Sequence, residues 1–127
     1  MGPAGEWYVL VEHNRVGSEG KWTLRQKLHA EDGREHALSM AQEVTLSCTG
    51  DTFRSPAELG RSVFRISETS WLVEIGHSRW SELYGDVVID SEHVRISVAE
   101  LAHFTEPPPA EPQPAKVGRL SKVFKRD

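Results

Sequence analysis

The sequence predicts an α+β domain in which one main amphipathic helix packs on one face of an antiparallel sheet of about six short strands. Six runs rich in β-branched and aromatic residues are joined in pairs by polar turns, the pattern of three β-hairpins. Between the first and second hairpins, apolar residues recur at the spacing of a helix. A chain of 127 residues supports one such domain, with or without a tail.

The first predicted hairpin joins a strand at residues 6–12 to a strand at residues 22–28. Both faces of the first strand are apolar, which indicates a central strand covered on both sides. Its partner alternates between apolar and polar residues, as a half-solvated strand does. We expect Trp7 and Trp22 from this hairpin, and Trp71 from the second, to pack in the core.

The helix is predicted over residues 33–48, ending before Gly50. Asp32 and Glu35 have the spacing of a capping box, in which the Asp32 side chain accepts from free backbone N–H groups. Cys48 lies on the apolar stripe of this helix. We interpret it as a small core hydrophobe rather than as a nucleophile.

Two further hairpins are predicted, one from residues 62–66 and 70–75, the other from residues 87–89 and 94–98. One helix does not cover six strands. Either the sheet curls, or a partner buries part of its second face, for which a homodimer is an economical arrangement.

The polar connection between these hairpins holds three large apolar residues. Trp80, Leu83 and Tyr84 have the spacing of a single helical turn, which Gly85 would stop. In one interpretation this turn folds back over the core. In the other, Trp80 and Tyr84 form an exposed aromatic patch with Arg79, a composition common at binding hot spots.

Charge separates the body of the chain from its C-terminal end. The formal net charge is −4, but residues 105–127 hold five cations and three acidic residues, so they carry +2 and the remainder carries −6. The acidic body disfavours a dominant nucleic-acid-binding surface. The prolines of residues 105–115 predict an extended linker about 30 Å long, which follows a globular domain at residues 1–104.

Residues 116–127 form a basic amphipathic peptide, which we expect to be disordered when free because it is short and contains a glycine. Val117, Leu120 and Phe124 would share one stripe of a bound helix, edged by cations such as Lys122. Three interpretations remain open. The peptide has no partner, or it folds on a protein such as the acidic body of a neighbouring copy, or it contacts an anionic membrane or nucleic acid.

No motif identifies a reaction. The six histidines lack metal-ligand spacing, there is no Cys-x-x-Cys pair, and no Gly-x-Ser-x-Gly elbow is present. No glycine-rich loop joins a strand to a helix, so phosphate binding is unsupported. We therefore expect neither catalysis, nor a cofactor, nor a metal ion.

Location is predicted from three absences. No apolar run approaches the roughly 18–20 residues that span a bilayer. The N-terminus lacks the basic start and apolar core of a secretory signal. A single cysteine forms no internal disulfide, which suits a reducing compartment. We expect a cytoplasmic protein.

Three segments, Gly60–Ile66, Trp71–Ile75 and Val94–Leu101, resemble the C-terminal half of small actinobacterial proteins of unknown function. Those proteins also open with a tryptophan-containing strand pair and an acidic-capped helix. The resemblance covers residues 6–102, and the segment around residues 77–90 is longer than that pattern. It implies a bacterial protein and carries no activity, substrate or catalytic residue.

The leading prediction is a small non-catalytic protein-interaction or adaptor module with a tethered C-terminal binding peptide. The residues predicted to bind the partner are Trp80, Tyr84, Val117, Leu120, Lys122 and Phe124. The alternative is a small-molecule-binding or enzymatic domain whose pocket lies between helix and sheet, lined by Trp22, Trp71 and nearby histidines. A flat apolar surface favours the first, and a pocket with converging histidines and carboxylates favours the second.

Overall fold

The computed structural model of the chain describes residues 5–14, 20–50 and 55–112. The elements, in chain order, are β1 (Trp7–Asn14), β2 (Thr23–Ala30), α1 (Gly33–Ser47), a 3-10 turn (Pro56–Glu58), β3 (Gly60–Ser67), β4 (Ser70–Ser81) and β5 (Asp86–Glu100). The strands form one antiparallel sheet in the order β2-β1-β5-β4-β3. The α+β class, the first two hairpins and the helix are confirmed.

The described sheet has five strands rather than six, because the predicted third hairpin does not form. Residues 87–89 and 94–98 belong to one continuous strand, β5. The residues between them were expected to turn, yet they stay extended because β4 pairs with β5 without interruption from Ser81↔Asp86 to Ser70↔Ser97. Continuous pairing overrides the weak strand preference of Asp and Glu.

The helical turn expected around Trp80 is also wrong. Trp80 belongs to β4, and the chain reverses direction only at residues 82–85. Gly85 adopts a φ of 61°, a left-handed conformation that side chains disfavour, so a glycine closes the reversal.

The core lies between α1 and one face of the sheet. Helix α1 packs on β1, β2 and β5. Ala37 and Ala41, one helical turn apart, are fully buried, and Trp71 is buried among them as predicted. The other buried apolar residues are Val9, Val11, Ala30, Val73, Ile75, Val94, Ile96 and Val98. We call the face of the sheet that packs against α1 the helix-covered face, and the opposite face the open face.

Trp22 does not pack in the core as expected. It precedes β2 and lies on the open face, where the Arg95 guanidinium sits 4.3 Å from the centre of its ring. The cause is a bulge: Val11 pairs with Gln26, but Glu12 pairs with Leu24. One extra residue in β2 reverses which side chains face the core, so the alternation read from the sequence fails before the bulge.

The predicted capping box does not form at the start of α1. The Asp32 side chain makes no capping hydrogen bond, because its backbone ψ of 26° is outside the extended conformation that aims such a side chain at the helix. Instead the backbone N–H of Asp32 donates to Nδ1 of His36 at 3.2 Å. Gly33 begins the helix with a φ of 88°.

The chain beyond β5 has neither helix nor strand through residue 112. Its first residues are attached to the start of β1: Leu101 N–H donates to the Glu6 carbonyl at 2.7 Å, and Gly5 N–H donates to the Leu101 carbonyl at 2.8 Å. The predicted basic peptide at residues 116–127 lies outside the described residues.

Candidate functional site

The β4–β5 hairpin extends beyond the rest of the sheet. Pairing of β3 with β4 stops at Gly76, and pairing of β1 with β5 stops at His93. Among the residues that the structure describes, residues 77–81 and 86–90 therefore pair only with each other. We call residues 77–90 the projecting ribbon.

Five large apolar side chains of the projecting ribbon are exposed. Trp80 lies directly across from Val87, and Ile89 is the next residue on the same face of β5. Leu83 and Tyr84 occupy the reversal at the tip. Their exposed fractions are 58% for Trp80, 83% for Leu83, 72% for Tyr84, 56% for Val87 and 67% for Ile89. We call these five residues the ribbon patch; such clusters on a soluble surface mark interaction sites.

The tip of the ribbon is tied by local hydrogen bonds. Gly85 N–H donates to the Ser81 carbonyl at 2.8 Å, and Tyr84 N–H donates to the Ser81 hydroxyl at 3.2 Å. Ser81 is itself buried. Arg79, expected beside Trp80, instead points to the other face, where its guanidinium pairs with Asp90 at 2.6 Å. The ribbon patch is thus apolar, without that cation.

A second feature, which is concave, lies on the open face, at the opposite end of β5 from the ribbon. It is a cavity of about 680 Å³, which we call the open-face cavity. Its floor comes from β1, β2 and β5, and the chain after β5 forms one wall. The lining residues are Tyr8, Leu10, Lys27, His29, Ala99, Glu100, Leu101, Ala102 and Phe104.

The polar groups at this cavity are few. His29 Nε2 contacts the Glu6 carboxylate, and the His29 ring lies 5.2 Å from the ring of Tyr8 at a tilt of 51°. Lys27 lies two residues before His29, on the same face of β2. One histidine beside one carboxylate is an arrangement able to bind a polar ligand group. Within the part of the chain that the structure describes, no three His, Cys, Asp or Glu side chains gather as a metal site would require.

The pocket expected between helix and sheet is not where the structure has its cavity. Trp71 is buried under α1, whereas Trp22 lies on the open face against Arg95. These two tryptophans therefore do not line a common cavity.

Cys48 caps α1 and lies away from both candidate surfaces. Its thiol is half-buried against the core. Burial raises the pKa of the Cys48 thiol, and a hydrogen bond from the Arg61 guanidinium at 3.8 Å partly opposes that rise. A raised pKa reduces the thiolate fraction at neutral pH and so disfavours nucleophilic chemistry.

This shift predicts the pH dependence of Cys48 alkylation. With iodoacetamide, the midpoint of the rate against pH should be higher for the folded chain than for the chain in urea, and the single cysteine makes the signal unambiguous. Since the folded chain holds this proton more tightly, the contribution to stability is present below the unfolded pKa and is lost as pH rises through the folded pKa. A folded midpoint at or below that in urea would contradict the assignment.

Of the residues predicted to bind a partner, Trp80 and Tyr84 are brought together in the ribbon patch. Val117, Leu120, Lys122 and Phe124 lie outside the described residues. Sequence reasoning missed Val87 and Ile89 as surface residues, because only the register of β4 with β5 places them beside Trp80. It also missed the open-face cavity, which depends on where the chain after β5 returns.

Comparison with known proteins adds no assignment. No protein-family model matches this chain, and no curated protein or solved structure matches it. The resemblance to small actinobacterial proteins stays a prediction. No helix among the described residues is both long and apolar enough to cross a membrane.

Proposed function

We propose that this protein is a non-catalytic interaction module that binds another protein through the ribbon patch. The exposure of five large apolar side chains on one projecting hairpin carries this proposal. Tryptophan and tyrosine are enriched among the few residues that supply most binding energy, and the patch contains one of each. The hydrogen-bonded tip reduces the conformational entropy that binding must remove.

The charge of the ribbon indicates the chemistry of the partner. Residues 77–90 contain three carboxylates and one guanidinium, and Asp90 is already paired with that guanidinium. Glu82 and Asp86 are left at the tip beside Leu83 and Tyr84. An apolar groove rimmed with cations would complement this arrangement. A homodimer through the ribbon would instead bring like charges together, so we propose a different, basic protein as the partner.

The C-terminal peptide is the second part of the proposal. Its apolar and basic sequence at residues 116–127 would add a tethered contact to the same partner, which raises affinity through effective concentration. We propose this from the sequence of the segment alone.

Replacing Trp80 by Ala should strongly weaken partner binding without destabilising the fold. Each protein that co-purifies with the full chain is then purified by itself, and its affinity for the full chain and for the Trp80→Ala variant is measured by titration calorimetry. Since Trp80 is 58% exposed, the melting temperature should change little. A central hot-spot residue contributes about 2 kcal/mol or more, so affinity should fall by roughly 30-fold or more.

Phe64→Ala is the matched control, because Phe64 is an exposed aromatic of β3 outside the ribbon. The double variant Leu120→Ser/Phe124→Ser, made in the full chain, tests the peptide. Equal affinities for the Trp80→Ala variant and the unmodified chain would refute binding by the ribbon patch. Equal affinities for the double variant and the unmodified chain would remove only the peptide from the proposal.

A further inference from the structure

The open-face cavity is large enough for a ligand and separate from the ribbon patch. Its volume of about 680 Å³ falls in the range of roughly 300–1,000 Å³ typical of small-molecule sites. It is not a packing fault of the core, because the core occupies the helix-covered face. Whatever binds here is independent of the partner proposed for the ribbon.

The register of three strands explains the depth of the cavity. On the open face, β2, β1 and β5 place His29, Tyr8 and Ala99 side by side in one row. The next row holds Lys27 and Leu10, which pair directly. Ala99 has the smallest side chain in the first row, and it forms part of the cavity floor beside Tyr8. The sheet thus supplies a flat apolar surface with cationic and imidazole groups along one edge.

The chain after β5 turns this surface into a cavity. Leu101 is fixed to β1 by the two backbone hydrogen bonds with Gly5 and Glu6. From there the chain brings Ala102 and Phe104 to the cavity as its wall. Phe104 keeps 40% of its surface exposed, so part of its aromatic ring is free to contact a ligand. An apolar, partly aromatic ligand would bury that surface.

The charged side chains at the open-face cavity indicate which charge its ligand carries. The His29 imidazole already contacts the Glu6 carboxylate. Lys27 makes no ion pair with any residue in the described ranges. Glu100 lies at the end of β5 opposite Trp7 and is in phase with Ile96 and Val98, which face the helix, so it borders the cavity at the strand end rather than on the open-face floor. The uncompensated charge on the cavity floor is therefore the Lys27 ammonium.

We propose that the open-face cavity binds a small amphipathic carboxylate, with its apolar body between Leu10 and Phe104 and its carboxylate at Lys27. A flat ring fits the floor made by Leu10, Tyr8 and Ala99. The ammonium of Lys27 supplies a charge-assisted hydrogen bond to one end of the ligand. No covalent step is involved.

The test uses the full chain and two probes that share one ring system and differ in charge, naphthalene-2-carboxylate and naphthalen-2-ylmethylammonium. Binding is followed by NMR chemical shifts. The carboxylate should bind saturably, with shifts concentrated at Tyr8, Leu10 and Phe104, and at least tenfold more tightly than the ammonium probe. Lys27→Gln should weaken the carboxylate about tenfold and remove the preference between probes. Lys21→Gln, the same change before β2 and outside the cavity lining, should change neither affinity.

Several outcomes would overturn the assignment. They are equal affinity for both probes, an unchanged preference in Lys27→Gln, absence of saturation, and shifts centred on the ribbon patch. If Leu120→Ser/Phe124→Ser raises probe affinity, the C-terminal peptide of the chain occupies the cavity and the small-molecule assignment is wrong. The ribbon proposal is tested by Trp80→Ala and the cavity proposal by Lys27→Gln, so the two stand or fail separately.

Discussion

Replacing Ile96 by Ala should lower the free energy of unfolding by about 2–5 kcal/mol. Ile96 lies in the middle of the sheet on β5, between β1 and β4, and has no solvent-exposed surface. Its side chain packs in the cluster that α1 covers. Truncation removes buried methyl groups and leaves a cavity that the surrounding strands do not fill. Urea unfolding followed by circular dichroism measures the loss.

Ile89→Ala is the matched control, because the same substitution is made in the same strand. Ile89 is 67% exposed on the projecting ribbon, and its truncation should change stability by less than about 0.5 kcal/mol. The two variants therefore differ in the burial of the isoleucine and not in the substitution made. A loss at Ile89 equal to that at Ile96 would show that the ribbon packs against something, and the ribbon patch would not be a free surface.

The helix and the first two hairpins were predictable because their signals are local. Apolar residues such as Ala37 and Ala41 recur at helical spacing, and β3 and β4 flank a short polar turn. Each of these elements forms within one continuous segment of the chain. The predictions that were wrong depend on how strands pair. β5 is one strand because β4 pairs with it along its length. Trp22 lies outside the core because of a bulge in the pairing of β1 with β2. Neither the bulge nor the continuous partner strand has a local sequence signal.

The candidate site likewise combines residues with a local sequence signal and residues whose exposure depends on strand pairing. Trp80 and Tyr84 were identified because aromatic residues in a polar segment are unusual, and that anomaly is visible in the sequence. Val87 and Ile89 have the composition of ordinary strand residues, so only their register with β4 shows them to be exposed. The open-face cavity requires residues from both ends of the described chain, Tyr8 and Phe104, which no local pattern relates.

The two faces of the sheet differ in what they contribute to stability. One face buries its apolar residues under α1, while the open face keeps polar pairs such as Arg95 with Glu12 at 2.9 Å. Ion pairs on a partly exposed surface add little to stability. The open face therefore contributes less to stability than the face whose apolar residues α1 covers.

Replacing Arg61 by Met should destabilise the fold by about 1–3 kcal/mol, because Arg61 attaches the end of α1 to the sheet. Its guanidinium donates to the Thr45 carbonyl at 2.9 Å and to the Cys48 carbonyl at 2.8 Å. These carbonyls lie at the helix C-terminus, where α1 has no basic residue in its last turn. Arg61 on β3 supplies from the sheet the cation that a helix end favours.

Arg65→Met provides the control in the same strand. The Arg65 guanidinium donates to the carbonyls of Ser67 and Glu68 in its own exposed turn, at 3.1 and 3.4 Å, so its loss should change stability by less than about 0.5 kcal/mol. Arg61→Met should also raise the midpoint pH of Cys48 alkylation in the folded chain, because the hydrogen bond and charge of Arg61 lower the pKa of that thiol. If both variants unfold at the same urea concentration, β3 does not hold the helix. If only stability changes and the alkylation midpoint does not, the guanidinium acts on the two carbonyls and not on the thiol.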